Sequence, residues 1–588
     1  MSTMTKLKGI GASRGIAIGK IYLLDRSRVC ILKYEIQEDE IEKEIKRFKD
    51  AVAESTKQLN EIKEKAKKNL EPKYLCIIDG HMMILQDDFL INETIERIKK
   101  ERVNVEWALQ ESMKQIINIF LKIDDEYLQE REKDVDHVGS LILRNLVGHD
   151  QESIADLNEK AIIVSHDLSP SDVIQMKKDK VLGFVTESGG KTSHVSIMAA
   201  SLEIPAVVGL NDVIEKAGLG EPIIIDGDEG VVILNPTKDE FKHYLEKYQI
   251  FQYRNKELLK IKDLKAETKD GFSIKLMANI ETTLEIPLVK RQGAQGVGLF
   301  RTECLFMNRQ DLPSEEEHFQ LYKETVESFA PQPVIIRTLD AGGDKTNPIL
   351  NKIEANPALG LRGIRYSFSQ LGIFKKQLRA ILRASHFGNI KIMYPLISGL
   401  EEIQKANEIL EEVKEDLSRD GIPFKKNVET GIMIETPSAA IIADMLASAV
   451  DFFSIGTNDL IQYVLAADRA SETVASLYQP LHPSVLRLIE VVLKSAEKAG
   501  IEVSVCGSMG GNPLSALILL GLGKIDSLSM YAHSLPKIKK MIRNISLKDA
   551  KTISSHVLTL STFKEINDYV NAEVPKRFSD DLNFADLN

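Results

Sequence analysis

Very little in this sequence can form covalent cross-links. Its 588 residues include four cysteines, Cys30, Cys76, Cys304 and Cys506, which lie far apart and form no CxxC pair. That spacing excludes a cysteine zinc site and makes a disulfide framework improbable, as expected in a reducing compartment. Long apolar runs are also missing. The longest, such as LSALILLGLG at 514–523, fall far short of the ~20 residues a membrane helix needs. The start, MSTMTKLKGI, lacks the apolar core of a signal peptide. No basic block offsets the excess of 87 Asp and Glu over 76 Lys and Arg, a net charge of -11, which argues against nucleic acid as a ligand. These absences point to a cytoplasmic protein that binds neither membrane nor nucleic acid, with an acidic surface open to a basic protein partner.

What is present is ordinary globular composition, 43% hydrophobic and 28% charged, over a length that suggests about four domains. A Gly-rich apolar opening, GIGASRGIAIGKIYLL, gives way to helical periodicity. From about 35 to 70 the apolar positions recur in steps of three and four, and similar patterns continue through 82–100, 104–122 and 125–147. This block reads as a helical bundle. Near residue 150 short β-rich runs return (AIIVS, VLGFVT, AVVGL, PIIIDG), so the opening segment and this stretch form one α/β unit and the bundle is an insertion. The expected division is 1–20 with 148–236 for the α/β domain, 21–147 for the helical insertion and 237–265 for a linker helix. Residues 266–575 follow as a barrel, and 576–588 as a tail. The barrel rests on eight strand-like runs alternating with helical segments, at 274–280, 296–303, 333–340, 391–396, 431–437, 451–460, 502–508 and 527–532. Eight such repeats over about 300 residues are what a closed (β/α)8 barrel requires.

In such barrels the C-terminal strand ends form the working face. Arg301 and Glu303 end the second run, Arg337 and Asp340 the third, Glu435 the fifth, Asn458 and Asp459 the sixth and Cys506 the seventh. Glu435 and Asp459 are hard oxygen ligands suited to Mg2+ or Mn2+. Arg301, Arg337, Arg362 and Arg469 suit carboxylate and phosphate groups, and Lys345 in AGGDK adds a point charge. The combination predicts a small, strongly anionic substrate and phosphoryl transfer. A nucleotide site is absent: GKT at 190–192 has Val185 where a Walker loop needs glycine, and GIGASRG has the wrong spacing for a dinucleotide fingerprint. Cys506 is either a buried core thiol or a proton donor at the rim. In GGKTSHVSIMA (189–199), Thr192 and Ser193 are N-cap types before an apolar helix, which puts His194 in the first turn. Its imidazole is either a nucleophile or a capping-region group with a structural hydrogen bond.

GGKTSHVSI, GLFRTECLFM, RTLDAGGDK, IETP and DFFSIGTNDLIQYVLAADR, in this order and spacing, resemble Enzyme I of the bacterial sugar phosphotransferase system, a phosphoenolpyruvate–protein phosphotransferase. The resemblance covers essentially the whole chain. It implies a swivelling phosphohistidine α/β domain with an inserted helical bundle, followed by the (β/α)8 barrel. It implies that His194 accepts the phosphoryl group, supported by Ser169 and Thr192, and that Glu435 and Asp459 hold Mg2+. Arg301, Arg337, Lys345, Arg362, Asn458 and Arg469 then bind phosphoenolpyruvate, and Cys506 donates the proton to the enolpyruvate carbon. The helical insertion becomes the docking domain for the histidine-containing phosphocarrier protein, with Met83 and Asp87 as contacts, and the barrel domain the site of homodimerisation. Pyruvate phosphate dikinase and phosphoenolpyruvate synthase would need a large ATP-binding domain, and a nitrogen-regulatory paralogue a sensory domain; the residues for neither are present. The sequence departs from the family pattern at Arg14, His166 and Lys191, usually Pro, Ala and Arg. It departs again in CGSMGGN (506–512), where Ser508, Gly510 and Asn512 stand for Glu, Ala and Asp. The loss of two carboxylates beside Cys506 is what would favour an alternative, a catalytically weakened regulatory phosphotransferase that mainly binds the carrier.

Overall fold

The computed structural model describes residues 4–24, 33–67, 72–121, 126–147, 154, 157, 159–169, 172–173, 176–177, 179–190, 194–202, 204–306, 311–342, 356–469, 471 and 473–578. The chain divides into two compact units, residues 1–254 and 255–588. Among the described residues no helix is long and apolar enough to cross a membrane.

The α/β part of the first unit is built on an eight-stranded sheet. The strand Ile16–Leu24 runs parallel to Ala161–Ser165, with Ile21 opposite Ile162 and Leu24 opposite Ser165. It runs antiparallel to Pro222–Asp226 on its other side. The segments that enter and leave the helical block are therefore neighbours in one sheet, as an insertion requires. The first of them continues to Leu24, four residues past the boundary expected at residue 20.

The helical block contains Ile41–Lys67, Pro72–Leu85, Asp88–Glu101, Val105–Leu121 and Glu126–Val147. The pattern read as one helix over 82–100 is two, with the break at Asp87. Its carboxylate accepts from the N–H groups of Phe89 and Leu90, which starts a new helix. Periodicity ran through the break because Leu85 and Leu90, on either side, enter the same core as Phe48, Ile78, Leu109 and Ile142. Arg47 fastens the block electrostatically. It meets Glu44 at 2.7 Å and Glu106 at 2.6 Å, while Glu44 also accepts from Val105 N–H at 3.0 Å.

The connector is one helix, Lys238–Lys260. Its first half is fixed to the α/β sheet by Tyr244, packed with Ile16, Ile224, Val231 and Ile233. Lys247 Nζ adds contacts of 2.6 Å to the fully buried Asp226 and 2.6 Å to Glu229.

The second unit is a closed barrel of eight parallel strands: Lys275–Ile280, Val297–Phe300, Pro333–Arg337, Asn389–Tyr394, Glu429–Ile434, Phe452–Ile455, Glu502–Val505 and Ser527–Met530. Each lies within or beside a predicted run. The last pairs with the first, Leu528 opposite Leu276, which closes the ring. Leu299, Ile335, Met393, Met433, Phe452 and Cys506 pack together as a separate buried cluster, and a larger apolar core lies between strands and surrounding helices.

Removing the Tyr244 ring leaves a void under the connector. Tyr244→Ala is expected to destabilise the first unit by about 3 kcal/mol, the lower end for loss of a large buried aromatic ring. Urea unfolding followed by circular dichroism on the full chain checks this.

Candidate active site

The C-terminal ends of the barrel strands carry a continuous buried ionic chain. Its centre is Asp340, fully buried just past the third strand. One carboxylate oxygen is 3.0 Å from Arg337 Nη1, and Arg362 donates to both, at 3.1 Å from Nε and 3.2 Å from Nη2. Arg337 continues to Glu303, and Arg362 Nη1 continues to Asp459 Oδ1 and the Tyr463 hydroxyl, each at 3.1 Å. Arg301 is set apart, donating to Glu281 Oε1 at 2.6 Å and to the Tyr531 hydroxyl at 3.0 Å. Burial opposes the charge on Arg337 and Arg362, but the carboxylates around them hold both well above the ordinary arginine range.

Glu435 ends the fifth strand and is fully buried. Its Oε1 accepts from Leu396 N–H at 2.7 Å, and its Oε2 has no hydrogen-bond partner among the described residues. Leu396 takes a left-handed φ of 54° to present that N–H, a cost met at a functional position. A Cβ at Gly456 would stand 3.0 Å from the unpaired Oε2, so glycine there keeps the space beside it open. Burial, reinforced by Asp459 and Asp340, pushes the Glu435 carboxyl up to about 8 against the pull of Arg337 and Arg362. An oxygen acceptor without a donor, next to a second carboxylate, fits a hard divalent cation. Arg337 Nε is the complementary orphan, a buried donor without an acceptor among the described residues.

Asn458 lies in the first turn of helix Thr457–Leu465, where its Oδ1 accepts from Ser508 N–H at 2.9 Å. Cys506 is buried in the barrel interior and its carbonyl accepts from Asn279 Nδ2 at 2.8 Å. Burial pushes its thiol up to about 11, so it keeps its proton at neutral pH. The departures in CGSMGGN leave this backbone in order. Asn512 caps the helix Pro513–Leu522 by accepting from Ser515 N–H at 3.0 Å, which an aspartate would also do. Ser508 keeps its backbone bond to Asn458. Arg469 follows the helix Thr457–Leu465, half-buried, its N–H donating to Gln462 Oε1 at 3.3 Å. Lys345 lies outside the described residues.

In the α/β part, His194 opens the helix His194–Ser201, after Gly189 with its φ of 105°. Thr192 lies outside the described residues. Ser169 is buried, and its hydroxyl donates to Asp172 Oδ2 at 2.6 Å. On the helical block Met83 is 65% exposed, and Asp87 is exposed while capping its helix.

The structure thus brings Arg337, Arg362 and Asp459 into one ionic chain, with Glu435 coupled to it electrostatically. It also adds groups that sequence reasoning left without a role. Asp340 was visible at a strand end, but its bridging position was not. Tyr463 stands four residues after Asp459 on one helix face, a spacing that could have found it. Tyr531 follows the eighth strand.

Fold and rim together define a multidomain barrel enzyme with arginines set against paired acidic residues. Three family models match in order: PEP-utilising enzyme, N-terminal, over 8–131; PEP-utilising enzyme, mobile domain, over 157–230; and PEP-utilising enzyme, PEP-binding domain, over 255–547. The phosphoenolpyruvate-protein phosphotransferase of Staphylococcus epidermidis is 43% identical over 572 residues, 97% of this chain and 99% of its own. That of Haemophilus influenzae is 41% identical over 565 residues, 96% and 98% of the two chains. The chain belongs to the phosphoenolpyruvate-protein phosphotransferase family.

Two outcomes follow from the rim geometry. The raised Glu435 value lies above the ordinary 4.5, so the folded protein binds this proton more tightly. That contribution to stability is complete below 4.5 and is lost as pH rises through about 8. In the absence of divalent cations the thermal midpoint should fall from about pH 6 to about pH 9, and Glu435→Gln should flatten the fall. At Gly507 a Cβ would lie 1.9 Å from Thr457 Oγ1 and 2.6 Å from Thr457 N. Gly507→Ala must therefore displace the turn carrying Asn458 and Asp459, and phosphotransferase activity should drop at least ~100-fold in a steady-state assay.

Proposed function

We propose that this enzyme phosphorylates itself on His194 at the expense of phosphoenolpyruvate and passes the phosphoryl group to a histidine-containing phosphocarrier protein. This would be the first step of sugar uptake by the phosphotransferase system. The observation that carries the reading is the unpaired Glu435 Oε2 beside Asp459, enclosed by arginines whose buried donors are not all used. Glu435 and Asp459 would hold Mg2+, which when bound neutralises charge on the substrate's phosphate and carboxylate oxygens.

Arg301, Arg337, Lys345, Arg362, Asn458 and Arg469 orient phosphoenolpyruvate. Arg362, with Asp340, Asp459 and Tyr463 already on its donors, acts mainly by fixing the acidic residues. A nitrogen of the neutral His194 imidazole attacks phosphorus in line as the bond to the enol oxygen breaks, and the electron pair leaves with that oxygen. The enolate carbon takes the proton that burial keeps on Cys506, and pyruvate leaves. Ser169 and Thr192 support His194. The α/β domain then swings on the connector to the helical insertion, since one histidine cannot serve two distant sites without motion. There the exposed Met83, with Asp87 and Phe89 nearby, offers the carrier an apolar patch edged by acid. Dimerisation through the barrel domain suits Ile441, Met445 and Val491, apolar groups left exposed in that unit.

Labelling with radioactive phosphoenolpyruvate and Mg2+ should give an acid-labile protein phosphate that His194→Ala abolishes. Label surviving that change would refute the assignment. With carrier present, steady pyruvate release should continue, falling about 100-fold or more in Cys506→Ala. A failure of the unaltered enzyme to turn over would favour the weakened regulatory reading instead.

A further inference from the structure

Among the described residues outside the barrel, one group of side chains has the composition of a metal site. His81 lies near the end of helix Pro72–Leu85, and Asp134 and His137 stand three residues apart, on one face, in helix Glu126–Val147. One ligand atom from each lies within 4.8 Å of the others. We propose that His81, Asp134 and His137 bind a divalent cation of the zinc class, fastening these two helices of the insertion to each other.

Three observations support this beyond the clustering. His81 Nε2 is 3.3 Å from Asp134 Oδ1, about the separation of two ligands on a tetrahedral ion with bonds of about 2.0–2.1 Å. The two imidazoles meet edge to face, with centroids 6.2 Å apart and planes at 71°, so both rings can direct nitrogens to a common point. Finally, His137 Nδ1 is buried and has no hydrogen-bond partner among the described residues, which simple pairing of His81 with Asp134 leaves unexplained. The other ring nitrogen, Nε2, lies 3.6 Å from Asp167 Oδ2. An imidazole that ligates through one nitrogen and faces a carboxylate with the other is the usual outer support of a histidine–metal bond. Although burial opposes it, the contact with His137 helps to hold the Asp167 carboxyl below its ordinary range.

The ligand set selects the ion. Two imidazoles and one carboxylate suit Zn2+ and its neighbours, whereas Mg2+ prefers oxygen and keeps its water. The His81 side chain is 4% exposed, but those of His137 and Asp134 are 22% and 27% exposed, which leaves an approach for the ion and for water as the fourth ligand. Position gives the site a consequence. Asp167 stands two residues before Ser169, and Met83, two residues from His81, points outward. A bound ion would therefore connect the exposed face of the insertion with the segment that carries Ser169.

The test uses the full-length protein, stripped with chelator and titrated with Co2+ and then Zn2+ in millimolar Mg2+. One tightly bound ion per chain is expected, with the visible bands of tetrahedral Co2+, displaced by Zn2+. His137→Gln and the near-isosteric Asp134→Asn should each weaken it at least ~100-fold, and Asp167→Asn about 10-fold, as loss of an outer partner does. Circular dichroism establishes that each variant is folded, and labelling by phosphoenolpyruvate in Mg2+ alone should be unchanged in Asp134→Asn. Absence of Co2+ binding in the unaltered protein would overturn the proposal. So would binding that both folded variants retain, or binding lost instead in Glu435→Gln, which would place the ion at the barrel rim.

Discussion

Asp340 is the carboxylate on which the barrel face depends. It is fully buried between two guanidinium groups that would otherwise repel each other in a poorly screened interior. From it the chain of contacts runs one way through Arg337 to Glu303 and the other through Arg362 to Asp459 and Tyr463. Buried ion pairs of this kind contribute little net stability, because desolvation offsets the attraction. Their value here is positional: the second, third and sixth strands and the loop before the fourth are tied to a common electrostatic centre. Glu435 stands against that centre with one oxygen uncompensated.

The backbone yields to the same requirement. Leu396 adopts a left-handed conformation and thereby offers its N–H to Glu435. Gly363, at φ 57°, lies where a Cβ would meet Leu396 Cβ at 2.7 Å. The GLRG turn that carries Arg362 therefore closes against Leu396 only because residue 363 has no side chain.

Much of this was legible beforehand because period and spacing are local properties. All eight barrel strands followed from apolar runs, and the places of Arg337, Glu435 and Asp459 from the charged residues at the ends of those runs, while Lys345 lies outside the described residues. The break at Asp87 was hidden because both helices feed one core, so periodicity ran through the cap. Asp340 could be placed at the rim but not between two arginines, since Arg337 and Arg362 are joined only by folding. The orphaned Glu435 Oε2 and His137 Nδ1 were illegible for the same reason: an unmet hydrogen bond is a property of three-dimensional neighbours. The loss of two acids in CGSMGGN looked more disruptive in sequence than it is for the backbone, where Asn512 still caps its helix.

The pairing of Ile16–Leu24 with Ala161–Ser165 brings the two ends of the helical block side by side on one sheet. Topologically the block is a long loop with closely spaced ends, which meets the α/β part again where His137 Nε2 lies 3.6 Å from Asp167 Oδ2. A chain built this way can exchange its helical insertion as a cassette while the strand order of the sheet that carries it stays as it is.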